Sequence, residues 1–140
     1  MKKALILFSI CFLIIFPVVV SAQQLSLSIT PPLLELAIKP GKSVLIAYTI
    51  GNYGDPTALK AKVLPFRSKD NRGNIVIEND FSGPVRFSLD NADIQMDQPF
   101  FVKSRDTKQL LLRIRIPEGA SDGDYYYTFL VESQIGRAHV

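Results

Sequence analysis

Cysteine and histidine are almost absent from this 140-residue chain, with one of each, Cys11 and His139, and there is no tryptophan at all. Cys11 sits inside an uncharged apolar run near the N-terminus, and His139 is the penultimate residue. The segment between them therefore holds no disulfide, no thiol nucleophile, no Ser-His or Cys-His pair and no histidine-based zinc or heme ligand set. Sustained 3.6-residue periodicity is missing as well, which excludes a helical architecture. An excess of one charge is also lacking. Of 16 basic residues Lys2 and Lys3 precede the apolar run, and the 14 that remain face 13 acidic ones, so no nucleic-acid partner is implied.

What is present begins with an export signal. Met1-Lys2-Lys3 is basic, Ala4 to Val20 carries no charge, and Val20-Ser21-Ala22 places small residues where signal peptidase needs them. Residues 1–22 read as a signal peptide, with Gln23 as the first mature residue and an extracytoplasmic destination. An uncleaved membrane anchor is the alternative, because the run approaches the length that spans a bilayer. Cys11 lies in mid-run rather than at its end, which argues against a lipoprotein. Residues 23–134 suit one domain with a modest core.

That domain is organised around Pro40 to Asp55. A Pro-Gly turn launches it and Asn52-Tyr53-Gly54-Asp55 stops it, while Val44, Ile46, Tyr48 and Ile50 alternate with Leu45, Ala47, Thr49 and Gly51. Period two marks a strand whose richer face is buried. The same reading gives strands at residues 25–30, 33–38, 58–66, 75–77, 85–89, 100–102, 107–116 and 124–132, with Pro31-Pro32 breaking the first two apart. The predicted core is Val44, Ile46, Tyr48, Leu59, Ala61, Val63, Leu110, Leu112, Ile114, Tyr125, Tyr127 and Phe129. Short strands with turn signals between them define an all-β, two-sheet antiparallel sandwich of immunoglobulin-like type.

Two stretches resemble a known family. Pro40-Gly41-Lys42-Ser43 through Asn52-Tyr53-Gly54-Asp55, and Ile116-Pro117 to Gly123-Asp124-Tyr125-Tyr126, are similar to bacterial exported immunoglobulin-like domains. These are related in architecture to the first domain of periplasmic pilus chaperones and to the peptidoglycan- and WxL-protein-interacting surface family. The resemblance spans Ser26 to Glu132 and implies a non-catalytic module of the cell envelope or surface, with a structural or protein- or glycan-binding role. A chaperone-like protein acting by strand complementation is the other reading. Pilus chaperones hold a client carboxylate with an arginine on the first strand and a lysine on the last, and nothing basic lies between Leu25 and Ile38. Gly123-x-Tyr125 resembles a tyrosine corner, which is a folding device.

Chemistry-bearing motifs are few. Gly41-Lys42-Ser43 has the end of a phosphate loop, but Leu36 stands where glycine is required and a strand follows instead of a helix. Asp70 to Asn74 lacks the spacing and the final glutamate of a calcium loop and reads as a hairpin turn. Asp90, Asp93 and Asp97 read as solvent-facing. No pair of acids is placed by a motif for glycoside hydrolysis. No enzyme, cofactor or metal is expected. The candidate partner contacts are Tyr126 on an outward face, and Lys60, Lys62, Arg113 and Arg115, which read as wet strand faces or as one basic patch for anionic wall polymers.

Residues 135–140, Ile-Gly-Arg-Ala-His-Val, resemble one frame of a common short-read sequencing adapter. They are read as foreign to the protein. The natural chain is then expected to continue past Gln134, to add the sandwich's last strand, and to reach the membrane only through the leader or a C-terminal anchor.

Overall fold

The computed structural model describes residues 21–134, so residues 135–140 and most of residues 1–22, on which the signal-peptide reading falls, lie outside the described residues. Eight strands run in chain order: β1 Leu27–Thr30, β2 Ser43–Asn52, β3 Thr57–Ser68, β4 Ile75–Ile77, β5 Arg86–Leu89, β6 Pro99–Val102, β7 Asp106–Arg115 and β8 Tyr127–Ser133. No helix occurs among the described residues. One sheet has the order β1-β2-β7-β5; the other is built on β3, flanked by β8 and by β4 and β6. Every pairing is antiparallel. The architecture is the expected immunoglobulin-like sandwich.

The β2–β7 ladder is the spine of the first sheet, running from Ser43↔Arg115 to Asn52↔Asp106. Its register sets Ile46 opposite Leu112 and Tyr48 opposite Leu110, so the richer faces of both strands coincide. Leu59, Ala61 and Val63 of β3 close the core from the other sheet, and Tyr48 meets Phe129 of β8 with ring centroids 4.9 Å apart. Of the predicted core, Tyr48, Leu59, Ala61, Val63, Leu110 and Leu112 are buried, while Val44, Ile46, Ile114, Tyr127 and Phe129 are half-buried.

Two expectations are corrected. Tyr125 is exposed, because β8 begins at Tyr127 rather than at Asp124, and its ring lies outside the sandwich. Its hydroxyl does donate back to the Ser121 carbonyl at 2.7 Å, as a tyrosine corner requires, but it does so from the surface. Residues 33–38 form no strand: with prolines at 31 and 32 the chain leaves the β2 edge, Leu33 and Leu36 are exposed, and Leu34 alone of the predicted inward set packs on the core cluster. Asp90 faces solvent as expected, and Arg113 clamps it there.

A buried amide joins the two sheets. Asn52 falls on the inner face of β2 by alternation, and its Nδ2 donates to the carbonyls of Asp55 (2.8 Å), Lys103 (3.2 Å) and Val102 (3.3 Å). Its Oδ1 accepts from Gly54 N–H at 3.0 Å, and its own carbonyl accepts from Arg105 N–H at 2.8 Å. The end of β2 is thereby tied to the β6–β7 turn, with every polar atom of the side chain satisfied. Gly54 is needed beside it, because a Cβ there would lie 2.4 Å from the Gln24 carbonyl oxygen.

Chemical denaturation will separate these contributions. Leu112→Ala should cost about 3 kcal/mol as a buried truncation. Asn52→Ala should cost about the same, because it strands Gly54 N–H and the Val102 and Lys103 carbonyls in a dry site. Leu45→Ala, on the outer face, should cost less than about 0.5 kcal/mol. A loss at Leu45 matching that at Leu112 would show the register of β2 to be wrong.

Candidate functional site

Backbone parity in β3 decides what each face presents. Phe66 N–H donates to the Tyr126 carbonyl and Gln134 N–H to that of Ala58, whereas Asp97 N–H donates to Ala61 and Glu78 N–H to Pro65. Even-numbered residues of β3 thus bond towards β8 and carry their side chains outward. Odd-numbered residues bond towards β6 and β4 and carry theirs inward.

The outer face of this second sheet divides into an apolar end and a charged middle. Ile77, Phe66 and Tyr126 form one row across β4, β3 and the chain entering β8, and the Phe66 and Tyr126 rings lie 5.7 Å apart. Ile75 adjoins them opposite Ser68, and Leu64 follows along β3. Tyr126 is 58% exposed and Ile75 50%. Next come Lys62, opposite Leu130 and paired with Glu132 at 2.8 Å, and then Lys60.

Arg113 and Arg115 lie elsewhere, on the outer face of the first sheet. The single basic patch of Lys60, Lys62, Arg113 and Arg115 is therefore corrected: the core of the sandwich separates the two pairs. Alternation along a strand reports a face but not which sheet that face belongs to. Arg113 is also largely neutralised, because its Nε donates to both Asp90 carboxylate oxygens (3.0 and 2.9 Å) and its Nη2 pairs with the same group. Those hydrogen bonds, with the guanidinium charge, hold the Asp90 carboxyl below its usual range and push Arg113 further up. Arg115 stands directly opposite Arg86 on β5, a pair that sequence reading did not bring together because it depends on the β5–β7 register.

The hairpin between β3 and β4 is closed by Asp70. Its Oδ2 accepts from the Asn74 side chain at 2.7 Å and its Oδ1 from Arg72 N–H at 2.8 Å, which lowers its pKa, the Asn74 bond first. The carboxylate is thus spent on the turn, in line with the hairpin reading. A shallow cleft of about 270 Å³ opens where the β6 and β4 ladders leave Val63 between them, and Phe81, Arg86, Phe87 and Met96 line it. Behind it Phe81, Phe87 and Tyr127 cluster, and burial pushes the Tyr127 hydroxyl up. No group of three His, Cys, Asp or Glu placed to hold a metal occurs among the described residues, and no helix among them is long and apolar enough to cross a membrane.

No family model and no curated protein matches the chain. Among solved structures it is similar to the ASH/PapD-like domain of human CEP192 (PapD-like domain 7), at 12% identity, covering 77% of this chain and 72% of that one, with a TM-score of 0.43.

The two depressed carboxyls fix the sign of an acid response. Asp70 and Asp90 titrate lower in the folded chain than in the unfolded one, so their contribution is full above the ordinary carboxylate range, near pH 4, and is lost as pH falls through the folded values. Melting temperature measured against pH should therefore fall more steeply below about pH 4 in the parent than in an Asp70→Asn, Asp90→Asn double variant. Equal slopes would show that neither contact persists in solution.

Proposed function

We propose that this chain is a non-catalytic β-sandwich module of the bacterial cell envelope or surface, exported by its leader, which holds another protein or a glycan. The observation that carries the reading is the apolar end of the second sheet's outer face. Phe66, Ile75, Ile77 and Tyr126 form a contiguous, largely uncharged surface on rigid strands, and such surfaces on small domains are docking sites. Tyr126 offers both ring area and a hydroxyl, which suits a peptide or a sugar ring. The basic, apolar and small-residue pattern of residues 1–22 and the resemblance to exported immunoglobulin-like domains support the location.

A second reading, strand complementation, draws on a different observation. β8 bonds to β3 along one edge, and no strand among the described residues meets Tyr127, Phe129 and Val131 along the other. An edge in that state pairs readily with an added strand.

Expressed with its leader in a bacterium, the protein should appear outside the cytoplasm with Gln23 as its N-terminus. N-terminal sequencing that finds Met1 would favour the anchor. Binding to isolated envelopes should fall at least ~10-fold, about 1.4 kcal/mol, in a Tyr126→Ala, Ile77→Ser variant whose melting temperature stays near the parent's. Protease treatment of the envelopes should remove the binding if the partner is a protein, and glycan hydrolases should do so if it is a glycan. Unchanged binding by the variant would dismiss this surface.

A further inference from the structure

β4 forms an edge of the second sheet, with described chain on both sides of it. Glu78 N–H donates to the Pro65 carbonyl and Lys69 N–H to that of Asn74, so in this register Val76 is the residue that bonds to Arg67. The N–H and C=O groups of Ile75 and Ile77 therefore point away from β3. No strand among the described residues lies beyond β4, and none of the described residues bonds to these four groups. Past Glu78 the chain turns to the inner side of the sheet, where Phe81 stacks on Tyr127 with ring centroids 5.7 Å apart. Ile75 and Ile77 are left exposed.

Little keeps that edge from pairing. Between Asn74 and Glu78 there is no charge, no proline and no bulge, the devices that hold edge strands apart. Shortness alone remains, and it limits what an added strand can gain. The segment also has a symmetry. Ile75-Val76-Ile77 reads the same in both directions, and its flanks are complementary: Arg72 and Asn74 stand two and four residues before Val76 in reverse order, where Glu78 and Asp80 stand two and four after it. Equal steps from Val76 thus match Asn74 with Glu78 and Arg72 with Asp80. Glu78 is paired with Arg67 of its own chain at 2.9 Å, whereas no ion pair among the described residues engages Arg72 or Asp80.

We infer that β4 is the contact between two copies of this chain, paired antiparallel with the same strand of the second copy about a two-fold axis at Val76. In that register Ile75 is hydrogen-bonded to the partner's Ile77 and Ile77 to the partner's Ile75, which satisfies all four outward groups on each copy. Val76 meets the partner's Val76 on the axis, and Arg72 comes to the side of the partner's Asp80. A slip of two residues either way sets Ile77 against Gly73 or Ile75 against Asn79. An unrelated strand could satisfy the backbone groups, but it would leave the palindrome and the matched charges without a cause. Because the same patch serves both copies, the contact closes at a dimer. It also makes one sheet of β8, β3 and β4 from each copy. Ile77 then lies beside the partner's Ile75 on the outer face, so the two apolar ends become a single surface with a Tyr126 at either end. The pairing is a property of the purified protein and holds whether or not that surface binds an envelope component.

The test uses residues 23–140, which hold every strand of the sandwich and no cysteine. In the proposed pairing Val76 and the partner's Val76 form a non-hydrogen-bonded pair with Cα atoms about 4.5 Å apart, within reach of a disulfide. Ile75 and the partner's Ile75 lie beyond the disulfide limit of about 7 Å. Under mild oxidation Val76→Cys should therefore form a covalent dimer at least ~10-fold faster than Ile75→Cys does. Adding Ile75→Lys and Ile77→Lys to Val76→Cys sets like charges directly opposite and should slow that cross-link at least ~10-fold, with a melting temperature near the parent's. In sedimentation the unsubstituted chain should move from monomer towards dimer as concentration rises to roughly 1 mM, and the two lysines should weaken the association at least ~10-fold. A Val76→Cys chain that stays monomeric, or that links no faster than Ile75→Cys, would overturn the assignment. So would cross-linking or sedimentation that the lysines leave unchanged.

Discussion

A single alternation in β3 governs most of this molecule. Along an extended strand the side chains alternate between faces while the peptide groups alternate between edges, and the two alternations are locked in phase. In β3 that phase sends Leu59, Ala61 and Val63 into the core with their peptide groups towards β6 and β4, and sends Lys60, Lys62 and Leu64 outward with theirs towards β8. Burial in the core, the apolar outer face and the exposed groups of β8 are thus consequences of one register. A slip of one residue would exchange all three at once.

The strands that carry this constraint were legible in the sequence because both signals agreed. In β2, β3 and β7 the alternation runs for ten or more residues, and turn chemistry bounds it: Pro40-Gly41 before β2, Gly54-Asp55-Pro56 before β3 and Pro117 after β7. Tyr125 was misread because three consecutive tyrosines give no parity, so nothing local marks which of them begins the strand. Residues 33–38 alternate well and still form no strand, since alternation describes a surface and a ladder needs a neighbour.

The candidate surfaces were less legible, for a related reason. Lys60, Lys62, Arg113 and Arg115 share an outward parity, but their grouping depends on which sheet each strand joins. That is set by long-range pairing absent from any local pattern. The cross-strand contacts Ile77–Phe66–Tyr126 and Arg86–Arg115 are likewise products of register. Asn52 is a case where a signal was present but was read as the stop of β2: it continues the inward series Val44, Ile46, Tyr48 and Ile50, and it lies in the core. A buried amide in that position has to be bonded on all sides, and here it joins the strand end to the opposite sheet.

The sandwich is therefore tied at one margin by the Asn52 knot, and among the described residues no strand meets Tyr127, Phe129 and Val131 at the edge of β8. Residue-resolved amide hydrogen exchange, on dilute and monomeric protein, reads this asymmetry directly. The account predicts slow exchange at Thr128 and Leu130, which bond to β3, and exchange at least ~10²-fold faster at Tyr127, Phe129 and Val131, whose peptide groups point away from β3. Uniform protection along β8, or the reverse alternation, would contradict the register on which the account rests.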